Sequence, residues 1–274
     1  MKIGFVLVNF NNVAYTKNAI LSILDNKFTD TKIIIVDNSS QESDQKELSK
    51  LQSAYENVHI VFSGDNLGYF KGLNLGIKYM QDTHTDYQYM VIGNNDVLFP
   101  SNFIESIIRC EDRFKKYPVI SPDIITIDGF HQNPHVIEKI SKKREFIYDL
   151  YHLNYYLSLF ITVVARLTSS FTDRSDEKQF DTAQEIYQGY GAMYILGPCF
   201  FKNFQSLWSP TFLMYEEFFL SKQLMDKGFK IYYEPTISLT HLMHASTDNL
   251  PGKVKWRFSK LAHAEYRKYI KVKN

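Results

Sequence analysis

The sequence predicts an α/β fold with a mostly parallel central sheet and helices on both faces. Short runs rich in Val and Ile alternate with stretches of helical periodicity, in units of about 25–30 residues, the size of a βαβ unit. The apolar runs show little in–out alternation, as expected of strands buried on both faces. Several of them stop abruptly at Asn or Asp, on what would be one edge of a parallel sheet, where open α/β sheets bind ligands.

Residues 3–8 (IGFVLV) read as the first strand, ending in Asn9, Asn11 and Asn12. Residues 15–24 repeat apolar side chains at helical spacing (Ala19, Ile20, Ile23, Leu24). Residues 32–36 form a second strand that ends in Asp37, and residues 41–55 a polar amphipathic helix. A third strand spans 58–62, a glycine-bearing turn and helix 63–80, and a fourth strand 87–92. That strand breaks at Gly93, Asn94, Asn95 and Asp96, and Pro100 suits the first turn of a helix over 100–116. Strands at 119–120 and 123–126 follow. Residues 148–167 are strongly apolar and read as a buried helix or hairpin, the alternative being a segment in a membrane interface, where tyrosines sit well. Residues 169–184 are polar and read as a loop near the site. A strand-like pattern returns over 188–196, a helix over 216–227 with Gly228 as its C′ residue, and strands over 229–233 and 237–239.

The 274 residues are enough for one large α/β domain, and 45% hydrophobic content marks a globular chain. A net charge of +1 gives no global field for nucleic acid. Two cysteines in unrelated contexts make neither a disulfide framework nor a zinc spacing, and fit a reducing, cytoplasmic compartment. No signal peptide is expected, because the chain opens directly on a strand. The longest uncharged run, between Asp149 and Arg166, is shorter than the ~20 residues of a membrane span.

The loop after the first strand (Asn9, Phe10, Asn11, Asn12) has no glycine, which excludes the G-x-G-x-x-G dinucleotide fingerprint, and G-x-x-x-x-G-K-[ST] is absent too. Asn9, Asp37 and Asp96 instead stand at three strand ends. Asp96 reads as a metal ligand facing a diphosphate, and Asp37 can accept hydrogen bonds from the imide or ribose of a nucleotide. Both positions equally suit plain capping turns. Gly68, Gly72 and Gly76 recur every fourth residue and share one helix face, although each interior glycine costs about 1 kcal/mol relative to alanine. Either the sheet or a ligand therefore approaches that backbone. Lys71 can neutralise a phosphate or be an ordinary solvated lysine. Glu216 and Glu217 open a helix, where acidic residues are ordinary dipole partners. They also suit a general base, whose effect is typically about 10²–10⁴-fold.

Together VNFNN, VDNSS, DNLGYFKGLNLGI and GNNDV resemble family 2 glycosyltransferases with the GT-A fold, nearest to the branch with bacterial rhamnosyltransferases of polysaccharide assembly. The resemblance covers residues 1–120 strongly and 188–247 moderately. It implies a GT-A, Rossmann-like sheet and inverting transfer from a nucleotide-diphospho-sugar (dTDP or UDP) to a saccharide acceptor, often lipid-linked, with Mn²⁺ or Mg²⁺. It implies that residues 1–120 form the nucleotide-sugar-binding half, 121–250 the acceptor-binding half, and 251–274 a basic aromatic C-terminal helix. By the same resemblance Asn9, Asn11, Asp37, Asn66, Gly68, Lys71, Asn94, Asn95, Gly191 and Ala192 surround the donor. Asp96 and His241 bind metal, His241 matching better than His244. Glu217 is the base, with Glu216 second. Asn94 departs from the family's Asp-x-Asp-like element, leaving one charged ligand. That departure favours the alternative, a non-catalytic nucleotide-sugar-binding partner in an assembly complex. A nucleotidyltransferase would want a glycine- and arginine-rich loop that is missing. The basic tail, with Trp256 and Phe258 interleaved, reads either as a helix packed by its aromatic face or as an element drawn to anionic lipid on the inner face of the plasma membrane. A homodimer stays open.

Overall fold

The computed structural model describes residues 1–168, 176–242 and 252–271. The chain runs β1 (Ile3–Asn9), α1 (Val13–Leu24), β2 (Thr31–Asp37), α2 (Glu42–Ala54), β3 (Val58–Phe62), α3 (Tyr69–Thr83), β4 (Tyr89–Asn94), β5 (Val97–Leu98), α4 (Phe103–Arg109), α5 (Glu111–Lys116) and β6 (Val119–Thr126). It continues with α6 (Lys142–Leu153), α7 (Tyr155–Thr168), β7 (Gln184–Ile186), β8 (Met193–Leu196), α8 (Pro198–Asn203), α9 (Glu216–Met225), β9 (Ile231–His241) and α10 (Gly252–Tyr269).

Among the described residues nine strands form one sheet in the order β3-β2-β1-β4-β8-β6-β9-β5, with β7 paired to β9. β1 to β4 are parallel, and β8 enters antiparallel between β4 and β6. Strand residues divide by parity. Phe5, Leu7, Ile33, Ile35 and Val91 face one layer with α1, α2 and α4, while Val6, Ile34, Val36, Met90 and Ile92 face the other with α3, α8 and α9. Successive side chains point to opposite faces, and both faces are covered, so the strands read as continuous apolar runs. The register sets Asn9 beside Asp37 and Val8 beside Asn94, so the polar strand ends do share one edge.

Several expectations change in detail. The helix over 100–116 is two, α4 and α5. Cys110 adopts φ −98°, ψ 14°, between the α and β regions, and its N–H bonds to Ile107 at 3.0 Å. The two strands near 119–126 are one, with an irregularity between Pro122 and Asp123, and its partner β9 is likewise continuous. The strand over 188–196 shortens to β8, because Gly189 and Tyr190 are irregular and Gly191 and Ala192 form the turn before it. The apolar stretch 148–167 is neither one helix nor buried. It bends at Asn154 (φ −146°, ψ 141°), and most side chains of α7 are exposed or half-exposed. Part of the polar loop over 169–184 and His244 lie outside the described residues, as does Lys273 of the basic tail.

The glycine stripe of α3 is answered by the sheet. A Cβ on Gly76 would sit 2.4 Å from Val6 Cγ1 and 2.8 Å from Val36 Cγ2. Both neighbours are β-branched core residues with stiff side chains. Gly76→Ala is therefore expected to lower unfolding free energy by about 1–3 kcal/mol through overpacking, despite alanine's better helix propensity. Urea denaturation measures this, and an unchanged or higher midpoint would contradict the packing.

Candidate active site

A cavity of about 500 Å³ opens at the edge where β1 and β4 end. One wall is the loop before α3. Asn38 organises it, donating from Nδ2 to Gly68 O and Asn66 Oδ1, both at 3.0 Å, and accepting from Leu67 N at 2.8 Å. Gly68 has φ 83°, and a Cβ there would lie 1.8 Å from the carbonyl oxygen of Phe212. Only glycine fits, because the backbone conformation and the close approach both exclude a side chain.

The floor is Asn94, Asn95 and Asp96. Asn94 N donates to Ala192 O at 2.9 Å, tying the floor to the turn before β8. β5 follows at once and pairs with the end of β9, Val97 opposite His241, while Leu242 N donates to Asp96 O at 2.9 Å. This pairing brings His241 Nε2 to 3.3 Å from Asp96 Oδ1. Asp96 is fully buried, and neither carboxylate oxygen nor His241 Nε2 has a hydrogen-bond partner. His241 Nδ1 lies 2.8 Å from Gln132 Oε1. That oxygen can only accept, so Nδ1 donates to it, which leaves Nε2 facing the carboxylate. A buried carboxylate against a ring nitrogen is stabilised by positive charge shared between them, either a proton on Nε2 or a bound cation.

The carboxylate and imidazole pair thus fits a divalent cation by its chemistry. Among the described residues no group of three or more His, Cys, Asp or Glu could hold a metal. A two-residue set suits an ion that completes its shell with phosphate oxygens and water, as Mg²⁺ commonly does.

Glu216 and Glu217 line the opposite side. Met214 (φ 75°) and Tyr215 (φ 69°), both left-handed and neither glycine, turn the chain into α9. Such strain costs about 1–3 kcal/mol per residue and gathers at functional sites. The Tyr215 hydroxyl lies 3.0 Å from His263 Nδ1, and His263 Nε2 lies 2.8 Å from Asp149, so α6 and α10 hold this corner. Glu217 faces the backbone of Gly191, where a Cβ would meet its Oε1 at 2.6 Å. The Tyr69 hydroxyl donates to Gly191 O at 2.7 Å. Burial first, then the negative charges of Glu216, Glu217 and Asp96, keep this phenol protonated well beyond its ordinary range. Burial, and next the charge of Glu217, push Glu216 up to about 8.

Of the residues expected around a donor, Asn66, Gly68, Asn94, Asn95, Gly191 and Ala192 line the cavity. Four do not. Asn9 and Asp37 are fully buried. Asp37 accepts from Asn9 Nδ2 (3.1 Å), Ser40 N (3.2 Å) and Gln45 Nε2 (3.2 Å), so its carboxylate is engaged by the protein. Asn9 Oδ1 in turn accepts from Thr16 (2.8 Å) and Asn95 (3.1 Å). These residues frame the floor from behind. Asn11 (φ 54°) is exposed and bonds Gln41 N, and Lys71 is exposed on α3. His241 stands behind Asp96 rather than on the cavity surface.

The wall also includes Asn38, Tyr69, Tyr190, Phe212, Met214 and Phe258, which sequence reasoning did not single out for the site. Asn38 and Tyr69 fall inside the VDNSS and DNLGYFKGLNLGI runs, so their neighbourhood was visible. Nothing in the sequence ties Phe258 of α10 to this edge.

The family model described as glycosyl transferase family 2 matches residues 5–165. No curated protein matches the chain. Among solved structures, S. aureus TarS 1–349 in complex with UDP-GlcNAc superposes with a TM-score of 0.63 at 11% identity, covering 100% of this chain and 68% of that one. GalNAc-T7 with UDP, GalNAc and Mn²⁺ gives 0.61 at 12% identity, over 97% and 48%. At such identities the likeness speaks for the GT-A fold.

The raised Glu216 has a measurable consequence. The native state keeps its proton up to about pH 8, whereas the unfolded chain loses it near 4.5. Between those values the native state binds more protons, so this group's contribution to stability falls as pH rises. Glu216→Gln is expected to remove that component. The difference in denaturation midpoint between wild type and variant should grow in the variant's favour from about pH 5 to 8, and a pH-independent difference would refute the assignment.

Proposed function

The chain belongs to glycosyl transferase family 2, and from that premise we propose a metal-dependent, inverting transfer of a hexosyl or deoxyhexosyl group. The donor is a dTDP- or UDP-sugar, and the acceptor is a hydroxyl of a saccharide, lipid-linked, in bacterial surface-polysaccharide synthesis. That the chain is a glycosyltransferase follows from the family. The finer statement rests on one observation: Asp96, with His241 directly behind it at 3.3 Å, and the Glu216–Glu217 pair line one cavity. TarS with UDP-GlcNAc and GalNAc-T7 with UDP and Mn²⁺ lend the donor class and the ion by analogy.

Asp96 and His241 would hold Mn²⁺ or Mg²⁺. The chemistry such an ion supplies there is neutralisation of the charge that develops on the departing nucleoside diphosphate. The protein's own groups do the rest. Asn66, Gly68, Asn94 and Asn95 line the donor side, and the small residues Gly191 and Ala192 line the cavity where the Glu217 carboxylate approaches the backbone. Glu217 takes the proton of the attacking hydroxyl. Of the two adjacent carboxyls, Glu216 is the one raised to about 8, by burial and then by the charge of Glu217, so it holds its proton at neutral pH. Attack from the face opposite the diphosphate inverts the anomeric centre without a covalent intermediate. Residues 1–120 serve the donor and 121–250 the acceptor.

Asn94 in place of a first acidic residue favours a binding-only protein as the second reading, and the same experiments separate the two. Glu217→Gln is expected to lower kcat by about 10²–10⁴-fold while donor and Mn²⁺ still raise the melting temperature. Asp96→Ala is expected to abolish both transfer and the Mn²⁺-dependent part of that stabilisation. Screening UDP-, dTDP- and GDP-sugars by thermal shift identifies the base. Full transfer by Glu217→Gln removes Glu217 from its role, and donor binding without any turnover in wild type supports the second reading.

A further inference from the structure

Among the described residues no helix is long and apolar enough to cross a membrane, yet α7 presents one of the most apolar exposed faces of the chain. Tyr156, Leu159, Phe160, Val163 and Leu167 follow i, i+3, i+4, i+7 spacing and fall on one side of the helix. Tyr156 is 74%, Phe160 64% and Leu167 80% exposed, and Leu153 at the end of α6 is 63% exposed. Monomeric soluble proteins rarely leave so continuous a stripe uncovered. At 14 residues, α7 is about 21 Å long, too short for a hydrocarbon core of about 30 Å.

The surroundings of the stripe are cationic. α6, α7 and α10 together carry ten Lys and Arg against Glu145, Asp149 and Glu265, a net of +7 in a chain whose total is +1. Glu145 and Asp149 are paired with Arg267. On α10, Ala262, His263 and Tyr266 are buried, whereas Lys253, Arg257 and Lys260 are exposed on the opposite side. That side of α10 meets the end of α6 and the first residue of α7, where the stripe begins. Lys260 Nζ donates to Leu153 O at 3.2 Å, Lys253 Nζ lies 5.9 Å from the Tyr155 ring centre, and Trp256 Nε1 donates to Tyr151 O at 3.0 Å.

We propose that the face formed by α7 and the basic side of α10 docks on an anionic lipid bilayer, with α7 lying in the plane of the interface. An apolar stripe bordered by cations matches the acyl boundary and the anionic headgroups of a leaflet, each basic group near the surface adding to the attraction. The same α10 contributes Phe258 to the cavity, where its ring lies 5.2 Å from that of Phe212. A docked molecule therefore holds its cavity close to the lipid surface. Docking stands on surface chemistry alone and does not depend on the transfer reading.

The test is flotation of the full chain with vesicles of phosphatidylcholine alone, or with about 30% phosphatidylglycerol, at low and high salt. Wild type is expected to float with the anionic vesicles, to stay largely unbound with the neutral ones, and to be partly released by salt. The pair Phe160→Glu with Val163→Glu, and separately Lys253→Glu with Arg257→Glu, are each expected to weaken vesicle binding about tenfold or more. Circular dichroism and the melting temperature report that each variant is folded. Transfer to a water-soluble acceptor should be unchanged in Phe160→Glu with Val163→Glu, so lost docking and lost catalysis read out separately. Failure of folded wild type to float, or flotation of either folded variant equal to that of wild type, would overturn the proposal. So would a wild-type dimer that the Phe160 pair dissociates without any vesicle binding, which would assign the stripe to a second copy of the chain.

Discussion

A two-residue strand decides where the site's charge lies. Val97 and Leu98 pair with the end of the last long strand, and that pairing sets the Asp96 carboxylate against the His241 ring at 3.3 Å, out of water. Burying these donors without hydrogen-bond partners costs free energy that the rest of the fold must offset. A cation between them would remove that cost. The sheet holds the arrangement from both sides: β9 is fixed along most of its length by β6, and Asp96 follows directly on the parallel strand β4.

Behind this pair lies a polar network that the protein keeps for itself. Asn9, Thr16, Asp37, Ser40 and Asn95 hydrogen-bond to one another across three strand ends. Satisfied networks of this kind rigidify a site, because every member loses a partner if one moves. Asp37 belongs to this network, its carboxylate hydrogen-bonded by Asn9, Ser40 and Gln45.

The opposite wall is held by strain and by distant helices. Two left-handed residues swing Glu216 and Glu217 toward the cavity, and Tyr215, the second of them, is anchored through His263 to Asp149. His263 stacks on His152 at 4.2 Å, and burial drives His152 down to about 4, so both rings pack as neutral groups at physiological pH. The helices with the cationic, apolar surface are therefore the same ones that fix the geometry of the carboxylates.

The alternation of apolar runs and helical periodicity specified the first four strands and the helices between them, because burial on both faces of a sheet imposes a pattern that can be read locally. The break at Asn94, Asn95 and Asp96 and the paired glutamates were equally legible, since strand ends and helix starts carry characteristic residues. The sequence did not tell that the sheet turns mixed at β8, that Asp37 faces inward, that Asn38 clips the loop at Gly68, or that α7 stays exposed. Each depends on contacts between residues dozens of positions apart. Local propensity determines which side chains reach a given edge, but whether a carboxylate there meets a cavity, a histidine or its own neighbours is decided only when the strands pair.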